Sequence, residues 1–219
     1  MNFEKFNNHR IVLKVQDITG ITVVRNTKDL IEHTYNSVRK FHPHMTIIII
    51  DGSDPKDPCA FYVKSLASDK TKTISLGYNI DHGKGMCMGI DKVKTKYALI
   101  FDSDIEMLKS PVEWMLKMME EDTFGVGVVG KTGFDGIDCG LSPQHSKTGC
   151  ISYLHPYFQL ISIENYRKFH PYIHHGAPCI STMIDIHKKG LSEKILKDFP
   201  KLKATFVKHY GQGTRNMGE

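Results

Sequence analysis

The chain has 219 residues, of which 40% are hydrophobic and 24% are charged, and its formal net charge is +5. These values fit one ordinary globular domain that is long enough to bury a substantial core. The basic residues are scattered along the sequence without a dense block, so we expect no nucleic-acid partner. An anionic small substrate or an acceptor at a membrane surface fits the excess of positive charge.

The N-terminus and the cysteines of the chain bear on its location. The first eight residues contain no apolar run typical of a signal peptide, and no later segment approaches the length of a membrane span. We therefore expect a cytoplasmic protein, either free or peripheral at a membrane surface. The five cysteines are odd in number and form no Cys-x-x-Cys pair, which argues against a disulfide framework. Cys139, His145 and Cys150 fall close together in a Gly-rich region, where free thiols are favoured and a zinc clip is the alternative.

The first part of the chain predicts a βαβ unit. Ile21–Arg25 is a β-branched run typical of a central strand. A helix-like spacing of apolar residues begins at Asp29 and ends at His42-Pro43, and a second strand follows at Met45–Ile50. The strands of such a unit are parallel, so Asp51 is predicted at a carboxyl end. Turn chemistry before Gly52 explains Asp51 equally well.

A glycine-punctuated segment follows a predicted helix at Cys59–Ala67 and a short strand at Thr73–Leu76. It runs from Gly77 to Ile90 and enters a helix. Glycines let backbone amides approach a phosphate, and a helix N-terminus adds positive potential there. The segment matches neither the dinucleotide fingerprint nor a P-loop, so by itself it is a weak indication of phosphate binding.

The stretch Tyr97–Met107 carries the strongest chemical signal. Five apolar residues, typical of a strand buried on both faces, run into Asp102-Ser103-Asp104. The two carboxylates must surface together at the end of that strand, where open α/β sheets bind ligands. Like charges so close repel each other unless a cation intervenes, and Mg²⁺ typically takes one or two carboxylates together with phosphate oxygens. A solvated loop that merely starts with acids is the alternative.

The second half predicts further helices and strands around a long loop at residues 131–152. A loop of that length inside a compact domain is usually functional or mobile. The fold class is therefore α/β, a single domain with a mainly parallel central sheet flanked by helices. The predicted elements are a helix from about Pro111, strands at Phe124–Gly130 and Tyr153–Ile163, a helix at Ile180–Lys189, a helix that ends at Phe199-Pro200, and a strand at Ala204–Tyr210.

The chain resembles the nucleotide-sugar glycosyltransferases of the GT-A fold, in particular the family 2 type. The resemblance lies in the order of its landmarks: two strand ends at Arg25 and Asp51, a glycine-rich helix start, the Asp-x-Asp at a third strand end, and a late His209. The resemblance covers about Ile21 to Arg215 and is strongest from Ile21 to Met107. It implies a GT-A-like, Rossmann-like domain over residues 1–219. About residues 20–107 would bind the nucleotide sugar, and about residues 108–219 would bind the acceptor.

The resemblance also implies a set of site residues. Asp102, Asp104 and His209 correspond to ligands of Mn²⁺ or Mg²⁺, the divalent cation on the donor diphosphate. The residues implied in nucleotide-sugar binding are Arg25, Asp51, Gly83, Lys84, Asp102, Ser103 and Asp104.

The acceptor half departs from the family pattern. Inverting members present an acidic pair at a helix start to deprotonate the acceptor hydroxyl, and Pro178-Cys179 stand at that place here. Asp185 is the nearest carboxylate, and His174 or His175 offer an imidazole base instead. A retaining enzyme without such a base is the further alternative.

The activity implied is metal-dependent transfer of one sugar, with inversion, from a nucleoside-diphosphate sugar to an acceptor hydroxyl. A UDP-sugar is the favoured donor, the acceptor is a glycan, a lipid-linked sugar or a protein, and the oligomeric state is left open.

Two other functions compete with this interpretation. A haloacid-dehalogenase-type phosphatase would use Asp102 as nucleophile and Asp104 as acid, although Glu106 stands where that motif has Thr or Val. The other is a non-catalytic nucleotide-sugar-binding domain.

Overall fold

The computed structural model describes residues 17–140 and 149–211, in which strands and helices alternate through the first half of the chain. The strands are β1 (Ile18–Val24), β2 (Thr46–Asp51), β3 (Thr71–Ser75), β4 (Tyr97–Phe101), β5 (Ile105–Met107), β6 (Gly125–Thr132), β7 (Ile151–Ser162), β8 (Leu196–Asp198) and β9 (Val207–His209). The helices are α1 (Lys28–Phe41), α2 (Pro58–Ser65), α3 (His82–Ile90), α4 (Val112–Met118), α5 (Ile163–Tyr166), α6 (Ile180–Lys188) and α7 (Ser192–Ile195), with a π-helix at Leu202–Phe206.

The central sheet has seven strands in the order β3-β2-β1-β4-β7-β6-β8. Strands β1 to β4 are parallel to one another, β7 runs antiparallel between β4 and β6, and β8 is parallel to β6. This confirms the predicted α/β domain with a mainly parallel sheet. The chain winds outwards from β1 to β3 and then returns to place β4 on the other side of β1. Ligands bind at such a reversal of strand order in open α/β sheets, so β1 and β4 mark the expected site.

The core occupies both faces of the sheet, which explains the uninterrupted apolar runs. In β2, Ile47 and Ile49 pack in one apolar cluster with α1, α2 and α4, while Ile48 and Ile50 pack in the other with α3 and α6. All four side chains are almost completely buried. Because successive side chains of a strand point to opposite faces, a strand covered on both sides has no polar face.

Three glycines let helix α3 lie against its neighbours at short distance. A Cβ atom on Gly89 would come within 2.6 Å of Ile21 Cγ2, and one on Gly85 within 2.7 Å of Val23 Cγ1. A Cβ on Gly83 would meet the backbone of His174 at 2.6 Å. The sequence pattern suggested phosphate binding by these glycines, whereas in the structure they serve close packing of α3 on β1 and on the segment before α6.

The end of the chain differs from the sequence prediction. The helix predicted to end at Phe199-Pro200 stops at Ile195, because the following residues form β8 and extend the sheet beside β6. The predicted strand at Ala204–Tyr210 begins only at Val207, after the π-helix. Among the described helices, none has the length and apolar character needed to cross a membrane.

The cysteine prediction was wrong at one pair. Cys139 and Cys150 form a disulfide, with their Cα atoms 6.4 Å apart, so neither is a free thiol and neither is available for the alternative zinc clip. Sequence spacing did not reveal the pairing, because β6 and β7 are antiparallel neighbours that bring the two residues together. His145 and Arg215 lie outside the described residues, as do the first eight residues of the chain.

We predict that Gly89→Ala destabilises the protein by about 1–3 kcal/mol, the usual cost of inserting an atom into a packed interior. The added methyl group would clash with Ile21 and push α3 away from β1. Gly190→Asn is the control, because Gly190 has a φ of +68° that asparagine tolerates, and a Cβ atom there would meet no other atom within 4 Å. Urea unfolding measures both. Equal stability of Gly89→Ala and the wild type would contradict the close packing.

A second prediction concerns His42, which is buried and whose Nε2 lies 2.9 Å from Ser110 Oγ. Burial lowers its pKa, and Glu113 only partly opposes this. Because the folded pKa lies below the unfolded one, the folded state favours the neutral ring. The neutral ring therefore adds to the free energy of unfolding. This contribution is fully present above the unfolded pKa of about 6.5 and is lost as pH falls through the folded pKa.

The melting temperature of the wild type should therefore fall further between pH 7.5 and pH 5 than that of His42→Gln, which cannot titrate. Other ionisable groups are common to both proteins and cancel in the comparison. Parallel melting curves over this range would show that His42 does not carry the effect.

Candidate functional site

The two carboxylates of the Asp-x-Asp lie at the carboxyl end of β4, as the sequence predicts. The Asp102 backbone N–H donates to the Tyr157 carbonyl at 2.9 Å, which ties the end of β4 to β7. From α1, the buried Thr34 hydroxyl lies 2.9 Å from the Ser103 carbonyl and 2.7 Å from the Ile105 carbonyl. The turn that carries both carboxylates is therefore held from two sides by buried groups.

His209 reaches the carboxylates from the far end of the described chain. Strand β9 pairs with β5 so that His209 lies opposite Ile105, and the Tyr210 N–H donates to the Asp104 carbonyl at 2.9 Å. The imidazole stacks on the Tyr157 ring with centroids 5.0 Å apart and an angle of 9°. Strand pairing and ring stacking thus fix the position of His209.

Asp102, Asp104 and His209 form a compact group whose potential ligand atoms all lie within 4.8 Å of one another. His209 Nε2 is 3.2 Å from Asp104 Oδ1 and 3.5 Å from Asp102 Oδ2. Hydrogen bonds to Asp102 and Asp104 raise the pKa of His209 to about 9, against the effect of burial. A protonated imidazole therefore offsets part of the negative charge of the pair at neutral pH.

The chemistry of this group suits a hard divalent cation. Carboxylate oxygens are typical ligands of Mn²⁺ and Mg²⁺, and a neutral imidazole completes many such sites. Asp102 Oδ1 is buried without a hydrogen-bond partner among the described residues, although His82 Nε2 lies 3.3 Å from it. The three residues that the resemblance implied as metal ligands thus fit the role, which itself stays a prediction.

A cleft of about 300 Å³ opens above these residues, between the ends of β1 and β4, the start of α3 and the segment before α6. It lies at the reversal of strand order described above. Six predicted site residues line it: Arg25, Asp102, Ser103, Asp104, His175 and His209. Its other lining residues are Val23, Val24, Thr27, Asn79, Ile80, His82, Gly176 and Gly211.

Asp51 lies beside this cleft but does not line it. Its position is opposite Val24 in the β1–β2 pair, and the residue is only 1% exposed. Oδ1 accepts a hydrogen bond from the Ser53 N–H at 2.9 Å, whereas Oδ2 is buried and has no partner among the described residues. A buried carboxylate oxygen without a donor is costly, and the role of Asp51 in nucleotide-sugar binding stays a prediction.

Gly83 and Lys84 are not brought to the cleft. The Gly83 N–H donates to the His174 carbonyl at 2.9 Å, so it is not free for a phosphate. Lys84 Nζ lies 2.7 Å from Asp81 Oδ2, and the Lys84 side chain is more than half exposed. His82, to which the sequence pattern gave no role, lines the cleft instead. The available signal was its position at the first residue of a glycine-rich helix that follows a strand.

Asp185 is also outside the cleft lining. Its Oδ1 lies 3.4 Å from Lys189 Nζ, and its Oδ2 accepts from the His170 N–H at 3.4 Å. At the start of α6, Cys179 is completely buried, and burial raises its pKa to about 12. The His174 ring contacts the Ser181 hydroxyl, which leaves His175 as the candidate base that lines the cleft.

Comparison with known proteins gives the family. Residues 20–191 match the family described as Glycosyl transferase family 2. No curated protein sequence matches the chain.

Solved structures resemble the fold at low sequence identity. They include the mannosyltransferase PcManGT from Pyrobaculum calidifontis in complex with GDP-Man and Mn²⁺, with a TM-score of 0.61 and 11% identity over 85% of this chain and 55% of that one. TarS residues 1–349 of S. aureus have a TM-score of 0.52 and 13% identity, with 77% of this chain and 55% of that chain covered. GalNAc-T7 with UDP, GalNAc and Mn²⁺ has a TM-score of 0.52 and 14% identity, with 71% of this chain and 36% of that chain covered.

The chain thus spans about half the length of the first two of these structures and about a third of the last. At such identities the likeness shows the fold alone, whereas the family match covers most of the chain. The chain belongs to glycosyltransferase family 2 and has the GT-A fold.

Proposed function

We propose that this protein is a metal-dependent glycosyltransferase that moves one hexose from a nucleoside-diphosphate sugar to an acceptor hydroxyl, with inversion. The observation that carries the proposal is the group of Asp102, Asp104 and His209 at the strand ends in the cleft. Two of the similar structures are complexes of a nucleotide or nucleotide sugar with Mn²⁺, which supports the same chemistry on this fold.

The donor half supplies groups for each part of a nucleotide sugar. Asp102, Asp104 and His209 would hold Mn²⁺ or Mg²⁺, which when bound neutralises the diphosphate leaving group as a Lewis acid. Arg25 lines the cleft at the end of β1, where its guanidinium can pair with phosphate oxygens. The unpartnered Oδ2 of Asp51 can accept a bond from the imino N–H that uracil and guanine both present. A UDP-sugar is our favoured donor.

The acceptor half supplies a base. Among the residues that line the cleft, the carboxylates are Asp102 and Asp104, both within the proposed metal group. His175 is exposed at the cleft and belongs to no such group. In the proposed step the acceptor oxygen bonds to the anomeric carbon, the bond from that carbon to the diphosphate oxygen breaks, and the imidazole of His175 takes the hydroxyl proton.

The donor site is tested by calorimetric titration with UDP, GDP and dTDP, each with and without Mn²⁺. We expect one nucleotide to bind in a Mn²⁺-dependent manner and Asp104→Asn to weaken that binding by at least about 100-fold, the upper end of the effect of losing even an outer partner of a metal site. Asp69→Asn is the matched control, because Asp69 lies in the turn before the start of β3, whereas the site lies at the carboxyl ends of the strands.

Wild-type affinity in Asp104→Asn would contradict the metal assignment. Binding of a nucleotide sugar without any hydrolysis or transfer would instead favour the non-catalytic binding domain.

The base is tested with His175→Gln. Because general base catalysis contributes about 10²–10⁴-fold, we expect kcat to fall by that factor while the Kd for the nucleotide stays within about threefold of the wild type. Proton NMR of the product reports whether the anomeric configuration is inverted. Near-normal kcat in His175→Gln, together with a large loss in Asp185→Asn, would show that the base is the carboxylate and that α6 shifts in the working enzyme.

A further inference from the structure

We propose that His82 is a positioning residue that fixes the carboxylate of Asp102 for cation binding, and that the glycines of α3 bring it there. This inference rests on the proposed function. It concerns a residue to which neither the sequence motifs nor the family resemblance gave a role.

The first observation is the surroundings of Asp102. Its carboxylate lies between two imidazoles, with His82 Nε2 3.3 Å from Oδ1 and His209 Nε2 3.5 Å from Oδ2. Oδ1 is buried and makes no hydrogen bond among the described residues, so the His82 ring is close to it but not aligned. Bonds of this kind are often poorly aligned in ligand-free enzymes and tighten when the ligand binds.

The second observation is the seating of α3. His82 is the first residue of this helix, and its reach into the cleft depends on how closely the helix lies against β1. A Cβ atom at Gly83, Gly85 or Gly89 would come within 2.6 to 2.7 Å of the neighbouring atoms. A side chain at Gly85 or Gly89 would push α3 away from β1, and one at Gly83 would push it away from the backbone of His174, so each would shift the His82 ring relative to Asp102.

The physical role follows from the two oxygens of Asp102. When one carboxylate oxygen of Asp102 binds a cation, the other oxygen still needs a hydrogen-bond donor if it is buried, as Oδ1 is here. Donors to a ligating carboxylate fix its orientation and typically contribute about 10–100-fold in metal affinity. An N–H on Nε2 of the His82 ring supplies that donor.

The test is a Mn²⁺ titration followed by electron paramagnetic resonance of the free ion, without any nucleotide. We expect His82→Phe and His82→Asn to bind Mn²⁺ about 10–100-fold more weakly than the wild type, because neither places an N–H at the position of Nε2. His82→Gln places its amide N–H near that position and should bind within about threefold of the wild type. His44→Gln is the control, since His44 is exposed before β2 at a distance from the cleft.

Wild-type affinity in both His82→Phe and His82→Asn would overturn the inference, and so would an equal loss in His82→Gln, because a positioning role through the N–H predicts rescue. Circular dichroism identifies a variant that fails to fold, and His82→Asn then replaces His82→Phe in the comparison. Failure of the wild type to bind Mn²⁺ both alone and together with a nucleoside diphosphate would overturn the proposed function itself, which separates the two results.

Discussion

The repulsion between two neighbouring carboxylates at the end of a buried strand is the constraint on which this structure depends. Asp102 and Asp104 cannot retreat into the apolar core beneath them, and together they need positive charge close by. The fold provides it by pairing β9 with β5, which brings His209 to both carboxylates from the far end of the described chain. The small second sheet is therefore explained by the charge it delivers.

The cleft owes its place to the topology of the sheet. The chain reverses its strand order between β1 and β4, so the connections from these two strands leave in opposite directions and open a crevice above the strand ends. Helix α3 then closes one side, and its glycines let the helix approach closely enough to place His82 at the cleft. Strand ends, helix seating and cleft chemistry are consequently parts of one arrangement.

Local signals made much of this predictable from sequence. The buried isoleucine run of β2 and the position of the two carboxylates after β4 were predicted correctly, because burial on both faces and charge at a strand end leave clear patterns. Long-range geometry did not leave such patterns: the sequence favoured Lys84 over His82, because only the seating of α3 decides which side chain enters the cleft. The Cys139–Cys150 disulfide depends in the same way on the pairing of β6 with β7. The position of Asp185 outside the cleft lining likewise goes with its contacts to Lys189 and His170, which the sequence does not reveal.

The most direct test of the proposed metal centre is a crystal structure of the protein soaked with Mn²⁺ and a nucleoside diphosphate, with anomalous data collected at the manganese edge. We expect one strong peak about 2 Å from a carboxylate oxygen of Asp102, from one of Asp104 and from His209 Nε2, with diphosphate oxygens completing the coordination in the cleft. A cleft that holds the nucleotide without manganese, or a manganese peak elsewhere while His209 still bonds to both carboxylates, would contradict it.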